Sequence, residues 1–180
     1  MKLQKKLAEE NSQIHTQIVG DKFQERLREP KNQLRIKKAF QETAAIDWMG
    51  AVSREECQAL IAEADVGISW RSESLDNDES VELSSKLLEY GRLGKPALVR
   101  RTKMHEDLLG KDYPLFVDDE TDFVEKTLAV LSDDALYFET AQKIYQASKA
   151  FTFSAAYDRL KKFLFGLLKK KKNKFTICWA

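Results

Sequence analysis

Apolar positions along this chain fall into two alternating rhythms, short continuous runs and stripes at helical spacing. The first twelve residues predict a short polar helix, and His15 to Val19 (HTQIV) a strand that stops at the turn pair Gly20-Asp21. Residues 22 to 43 are charged and helical in character, but Pro30 interrupts them, so they form either two short helices or a loop and one helix. The run AAIDWMG, residues 44 to 50, reads as a short strand closed by Gly50. Ser53 and Glu56 then make a capping box for a helix whose Cys57, Leu60, Ile61 and Ala64 fall at i, i+3, i+4 and i+7. VGISW, residues 66 to 70, is a second buried run, followed by the polar loop RSESLDNDES. A helix over roughly 84 to 93 must stop at Gly94, because Lys95-Pro96 forbids continuation. ALVR (97 to 100) is another strand, MHEDLLG a short helix and PLFVDD a last strand. Helices over 121 to 131, about 133 to 149 and 154 to 168 complete the chain, the last with a stripe of Leu160, Phe163, Leu164 and Leu167.

Strands alternating with helices predict an α/β fold, a Rossmann-like parallel sheet with helices on both faces. Such sheets bind ligands beyond the carboxyl ends of their strands. The segments to inspect therefore follow Val19, Trp48, Trp70 and Val99.

Composition narrows this picture. A chain of 180 residues, 43% hydrophobic and 33% charged, has room for one domain with a real core and not for two full ones. Charge is nearly balanced, with 30 Lys plus Arg against 29 Asp plus Glu, yet residues 161 to 174 hold seven Lys and no acid. The remainder is therefore acidic, which argues against a nucleic-acid-binding body and divides the chain into a domain, 1–165, and a basic tail, 166–180. Cys57 and Cys178 lie far apart without metal-ligand spacing, which fits a reducing compartment and predicts no metal site. The opening MKLQKKLAEENSQ is too polar for a signal peptide and no apolar run of about 18 residues is present, so a cytoplasmic location is expected.

The segment richest in chemistry is VELSSKLLEYGRLGKPALV, residues 81 to 99. A helix that opens just after a strand and a polar loop leaves its first amides without helical partners, at the positive end of its dipole. Ser84, Ser85 and Lys86 would there offer N–H groups, hydroxyls and a point charge to a diphosphate. Glu89 lies three residues beyond Lys86, where a carboxylate can accept from the paired hydroxyls of a ribose, and Glu82 could do the same for a sugar. Helix physics alone also allows a second reading, in which Ser84 is an ordinary N-cap and Lys86 and Glu89 are a solvated pair.

The order Glu82, Lys86, Glu89-Tyr90, Gly94-Lys95-Pro96, with IVGD and IDWMGAVSREECQALIAEADVGISW before it and FTFSAAYDRLKKFL after it, resembles the nucleotide-sugar-binding C-terminal domain of GT-B glycosyltransferases of family 4, also called group 1. The likeness spans roughly residues 14 to 165. It implies donor contacts from Glu82, Leu83, Ser84, Ser85, Lys86 and Glu89, with Glu89 on the ribose and Glu82 on the sugar. Gly50, Ala51 and Val52 would edge the nucleobase through their backbone. The family's two glutamates bracket seven residues and these bracket six, so Val81 stands at the strict position of the first.

The resemblance further implies a retaining, metal-independent hexosyltransferase without a resident cofactor, working in polysaccharide biosynthesis. It also implies what is missing, the acceptor-binding half and the domain's own first strand, and so a fragment from a split or truncated gene or a half that pairs with another chain. In the order 3-2-1-4-5-6 that strand is central, so its loss leaves two unpaired edges. FTICW, residues 175 to 179, is one internal candidate to fill the gap. A degenerate, inactive binding or scaffold module is the competing expectation. The apolar stripe beside the lysine block would allow weak contact with anionic membrane at its inner face. His15 and His105 have no nucleophile motif nearby. Trp48 and Trp70 suit core packing, while Arg100, Arg101 and Lys103 could touch phosphate and Glu106 could orient their loop.

Overall fold

The computed structural model describes residues 2–21, 30–71 and 83–170; Val81, Glu82 and the segment 171–180, with Cys178 and FTICW, lie outside these. In chain order the elements are α1 (Lys2–Glu10), β1 (Thr16–Val19), α2 (Pro30–Glu42), β2 (Ile46–Gly50), α3 (Arg54–Glu63), β3 (Gly67–Ser69), α4 (Ser85–Arg92), β4 (Ala97–Arg100), α5 (Lys103–Leu109), β5 (Phe116–Val117), α6 (Glu120–Ser132), α7 (Asp134–Lys149) and α8 (Phe153–Lys170). The sequence pattern foresaw this alternation. α2 begins at Pro30, as a proline at the first helical position forfeits no hydrogen bond, and residues 22–29 before it lie outside the described residues. The helix α8 runs without interruption through residue 165, so the basic tail begins as the end of a helix.

All strand pairing is parallel. β1 runs beside β2 from Thr16↔Ile46 to Val19↔Gly50, β3 beside β4 from Gly67↔Ala97, and β4 beside β5 from Val99↔Phe116. Among the described residues these strands form two sheets, ordered β1-β2 and β3-β4-β5. The fold is thus α/β and Rossmann-like, with its described strands in two parallel sheets.

The core sits on the three-stranded side. Ala97, Leu98 and Val99 are inaccessible, as an interior strand covered on both faces must be. Leu87, Leu109, Leu115, Phe116, Val117, Phe123, Val130 and Ile144 close around them. Tyr113 is buried there with its hydroxyl donating to the Ala97 carbonyl at 2.8 Å, and desolvation pushes its phenol far above the usual range. Two glycines bring α4 close. A Cβ on Gly67 would stand 2.4 Å from the Tyr90 ring, and one on Gly91 2.7 Å from Ile144 of α7. Of the N-terminal helices, α1 joins this core through Leu7, and its Lys2 and Lys6 pair with Glu120 of α6.

The opposite end of the chain is open. Phe153, Tyr157, Leu160, Phe163, Leu164, Phe165 and Leu167 of α8 are all exposed. No helix among the described residues is long and apolar enough to cross a membrane.

Candidate functional site

The start of α4 stands at the carboxyl end of β3 and differs from its neighbours. At α3, α5, α6 and α7 a side chain fills the helix start: Ser53 accepts from the Glu56 amide, Thr102 from His105, Asp119 from Thr121 and Asp122, and Asp133 from Ala135 and Leu136. At α4, Ser84 has the extended backbone of an N-cap but its side chain makes no capping bond, and no acid occupies the first turn. Its hydroxyl instead meets that of Ser69, the last residue of β3, at 3.0 Å. The Ser85 and Lys86 amides are left at the positive end of the helix, beside two exposed side chains. The Ser84 hydroxyl is thus joined to the end of β3, and it does not cap the amides of the first turn.

Glu89 follows one turn later, half-buried, while Leu87 and Gly91 face the core. The carboxylate therefore stays off the apolar side of α4. Its charge reaches Tyr90, whose phenol is raised first by desolvation and then by the nearby Cys57 and Glu89 charges. The Tyr90 hydroxyl lies 3.4 Å from the Ile68 carbonyl.

The base-edge candidates follow the carboxyl end of β2. Gly50 adopts φ 65°, a left-handed turn that other residues rarely take, and its carbonyl accepts from the Gly20 amide at 2.7 Å. Ala51 is exposed and Val52 half-buried, immediately before the capping box at Ser53. That box is complete, and its hydrogen bonds from the Ser53 backbone and hydroxyl hold the Glu56 carboxyl below its usual range. Trp48 supports this edge, donating its indole N–H to the Gly20 carbonyl at 2.8 Å. It lies within β2 rather than at its end.

The other candidates resolve into structural roles. Arg101 pairs with Glu106 at 2.9 Å and stacks over Phe116, so Glu106 orients this loop. Lys103 pairs with Asp107. Arg100 reaches the Arg71 carbonyl at 3.5 Å, beside the end of β3. His105 is buried, its Nδ1 2.8 Å from the Arg100 carbonyl, which makes Nδ1 the donor. His15 lies at the amino end of β1, 3.7 Å from Asp47, away from the carboxyl edge. Trp70 packs on Phe123 with ring centroids 5.5 Å apart. Glu82 and the segment 72–80 fall outside the described residues. Two shallow concavities, of about 400 Å³ each, lie elsewhere, against Lys5 and Glu42 and against Leu109 and Lys143.

Known proteins give this geometry a family. No curated protein matches the chain. Among solved structures the chain is similar to that of Anabaena Alr3699/HepE in complex with UDP and glucose, with a TM-score of 0.61 at 14% identity. The match covers 91% of this chain and 44% of that one, so the chain spans less than half the length of its structural relative. At that identity the likeness shows the fold. The profile described as glycosyl transferase-like matches residues 2–162, nearly the whole of the described chain, and on that match the protein belongs to the glycosyl transferase-like family.

Proposed function

We propose that the chain is the donor-binding half of a glycosyltransferase, moving a sugar from a nucleotide-diphospho-sugar to a glycan, lipid or protein acceptor. The observation that supports this most directly is the start of α4, whose first amides are capped by no side chain of its own N-cap and face the carboxyl edge of a parallel sheet. The Ser85 and Lys86 amides and the Lys86 ammonium would take the diphosphate, and Glu89 the ribose. Leu83 and Ser84 would shape the approach, Glu82 would hold the sugar, and the Gly50–Val52 backbone would edge the base. The HepE structure, on the same fold, holds UDP and glucose, which agrees with a donor of this class.

The chemistry asked of this half is electrostatic. Negative charge grows on the diphosphate as the glycosidic bond breaks, and fixed amides at a helix N-terminus stabilise that charge without reorganising. Transfer with retention, without a metal ion, and of a hexose toward polysaccharide completes the reading. Acceptor contacts fall to the other half, so the isolated chain binds and does not turn over.

Calorimetric titration with UDP and with GDP tests this. The expected outcome is weak binding, with Kd about 0.1–1 mM, no sugar transfer, and a loss of about tenfold in affinity, or 1.4 kcal/mol, for Glu89→Ala. Unchanged affinity in that variant removes the ribose assignment. Absence of all nucleotide binding favours the scaffold reading instead.

A further inference from the structure

Among the described elements α8 is the longest helix, and none of its residues belongs to the buried core. Its side chains from Phe153 to Leu167 are exposed, with Ala155 alone half-buried. Phe153, Tyr157, Leu160, Phe163, Leu164 and Leu167 recur at i, i+4, i+7, i+10, i+11 and i+14. At about 100° per residue they share one arc of about 120°. Each of the six is between 46% and 87% accessible. Within 153–167 Phe165 is the one large apolar side chain outside that arc. Soluble monomers seldom carry a continuous exposed apolar patch, and one that persists marks a binding surface.

The margins of the arc are cationic. By the same helical geometry Arg159 lies about 40° beyond one margin and Lys161 about 40° beyond the other, while Lys162 is nearly opposite. Arg159 donates to the Ala150 carbonyl at 2.6 Å, and the Lys161 ammonium stands 6.0 Å from the Tyr157 ring centroid. A carbonyl and a ring leave both positive charges in place. Asp158 is the only acid of this helix. From 159 to 174 the sequence holds eight Lys plus Arg and no acid, so all 29 acids lie elsewhere, against 22 bases. At the amino end of the arc the Phe153 and Tyr157 rings stack at 6.4 Å, and Phe151 just before them is exposed. Aromatic rings of this kind settle where an apolar layer meets water.

We propose that α8 lies along the surface of an anionic phospholipid bilayer, with its apolar arc turned into the acyl boundary and Arg159 and Lys161 at the level of the phosphates. Charge selects this occupant. A bilayer offers an apolar interior rimmed by anions along the whole helix, about 27 Å, and the stems of Lys and Arg can follow the apolar side while their heads reach the phosphates. The acidic remainder of the chain is repelled by the same surface, so the helix is the part it attracts and the domain is held outward. A second copy fits poorly, because paired helices need opposite charges beside their seam and both margins here are positive. The helix rests on the bilayer and does not cross it: Lys161 and Lys162 stand at its middle, and no described helix is long and apolar enough to span. The inference rests on α8 and stands independently of nucleotide binding.

The test uses the full chain, sedimented with vesicles of phosphatidylcholine alone or with about one third phosphatidylglycerol. Binding about tenfold or more tighter to the anionic vesicles is expected, weakened but not abolished when salt is raised to about 0.5 M. Phe163→Ser with Leu164→Ser should reduce it by about tenfold or more, and Lys161→Glu with Lys162→Glu by at least as much. These sites are exposed, so thermal unfolding of the domain should not change in either variant. A chain ending at Lys170 should still prefer the anionic vesicles. Hydrogen exchange, which needs no variant, should slow in α8 on those vesicles and stay as it was in β4. Binding that survives the serine pair means that the lysines act alone on any polyanion, and overturns the proposal. Equal binding to both vesicles, or binding lost altogether with residues 171–180, overturns it too. Absence of vesicle binding gives the face to protein, to a second copy if the chain dimerises through α8 and to another partner if it does not, and either result overturns the proposal.

Discussion

β4 and β1 are both four-residue parallel strands, and they live in different worlds. β4 has a neighbour on each edge and helices around it, and its Ala97, Leu98 and Val99 see no solvent. β1 has one neighbour among the described residues, and along it half-buried and exposed residues alternate. The same kind of strand becomes core or surface according to how many sides are covered, because apolar burial stabilises in proportion to the area removed from water.

That contrast can be broken by experiment. Leu98→Ala should cost about 2–5 kcal/mol, whereas Val19→Ala, at a site already open to water, should cost less than about 1 kcal/mol; urea unfolding compares them directly. Equal losses would mean that β1 is packed in solution by something beyond the described residues. Next in size is Gly91→Ala, which drives a methyl group into Ile144 and Ser148 and should cost about 1–3 kcal/mol, read from the same curves. A smaller effect is expected for Asp119→Ala, which uncaps α6. The Asp119 carboxyl is held below its usual range by the Asp122 and Thr121 amides, so its contribution is complete at neutral pH. It is lost as pH falls through the folded-state value, and the difference between wild type and variant should close below about pH 4. The mildest change, Glu120→Gln, releases Lys2 and Lys6 and should speed hydrogen exchange in α1 while leaving β4 untouched.

Much of this was legible in the chain itself, for local reasons. The capping box at Ser53 and Glu56 and the left-handed Gly94 that ends α4 depend on neighbours within four residues. The long helices follow from their stripes. What escaped sequence reasoning is long-range. Ser84 was read as a diphosphate contact or an ordinary cap, and its hydroxyl meets that of Ser69, fifteen positions earlier. Arg101 looked available for phosphate, and it is held by Glu106 and, at 3.6 Å, by Asp118. The stripe on α3 was read correctly but is only half covered, because its burial depends on a sheet surface and not on the helix. At the candidate site, the position of α4 after β3 and its open first amides were foreseen, while the bond between Ser84 and Ser69 was not.

The bond between Ser84 and Ser69 has a consequence for affinity. Because Leu87 and the glycine contacts at Gly67 and Gly91 wedge α4 in place, and the Ser69–Ser84 bond pins its first residue to the strand, the donor groups there are rigid before any ligand arrives. An anion meeting them loses little conformational entropy of the receptor. If the proposed donor site is right, weak binding would reflect the area of ligand left bare to solvent rather than looseness of the groups that grip it.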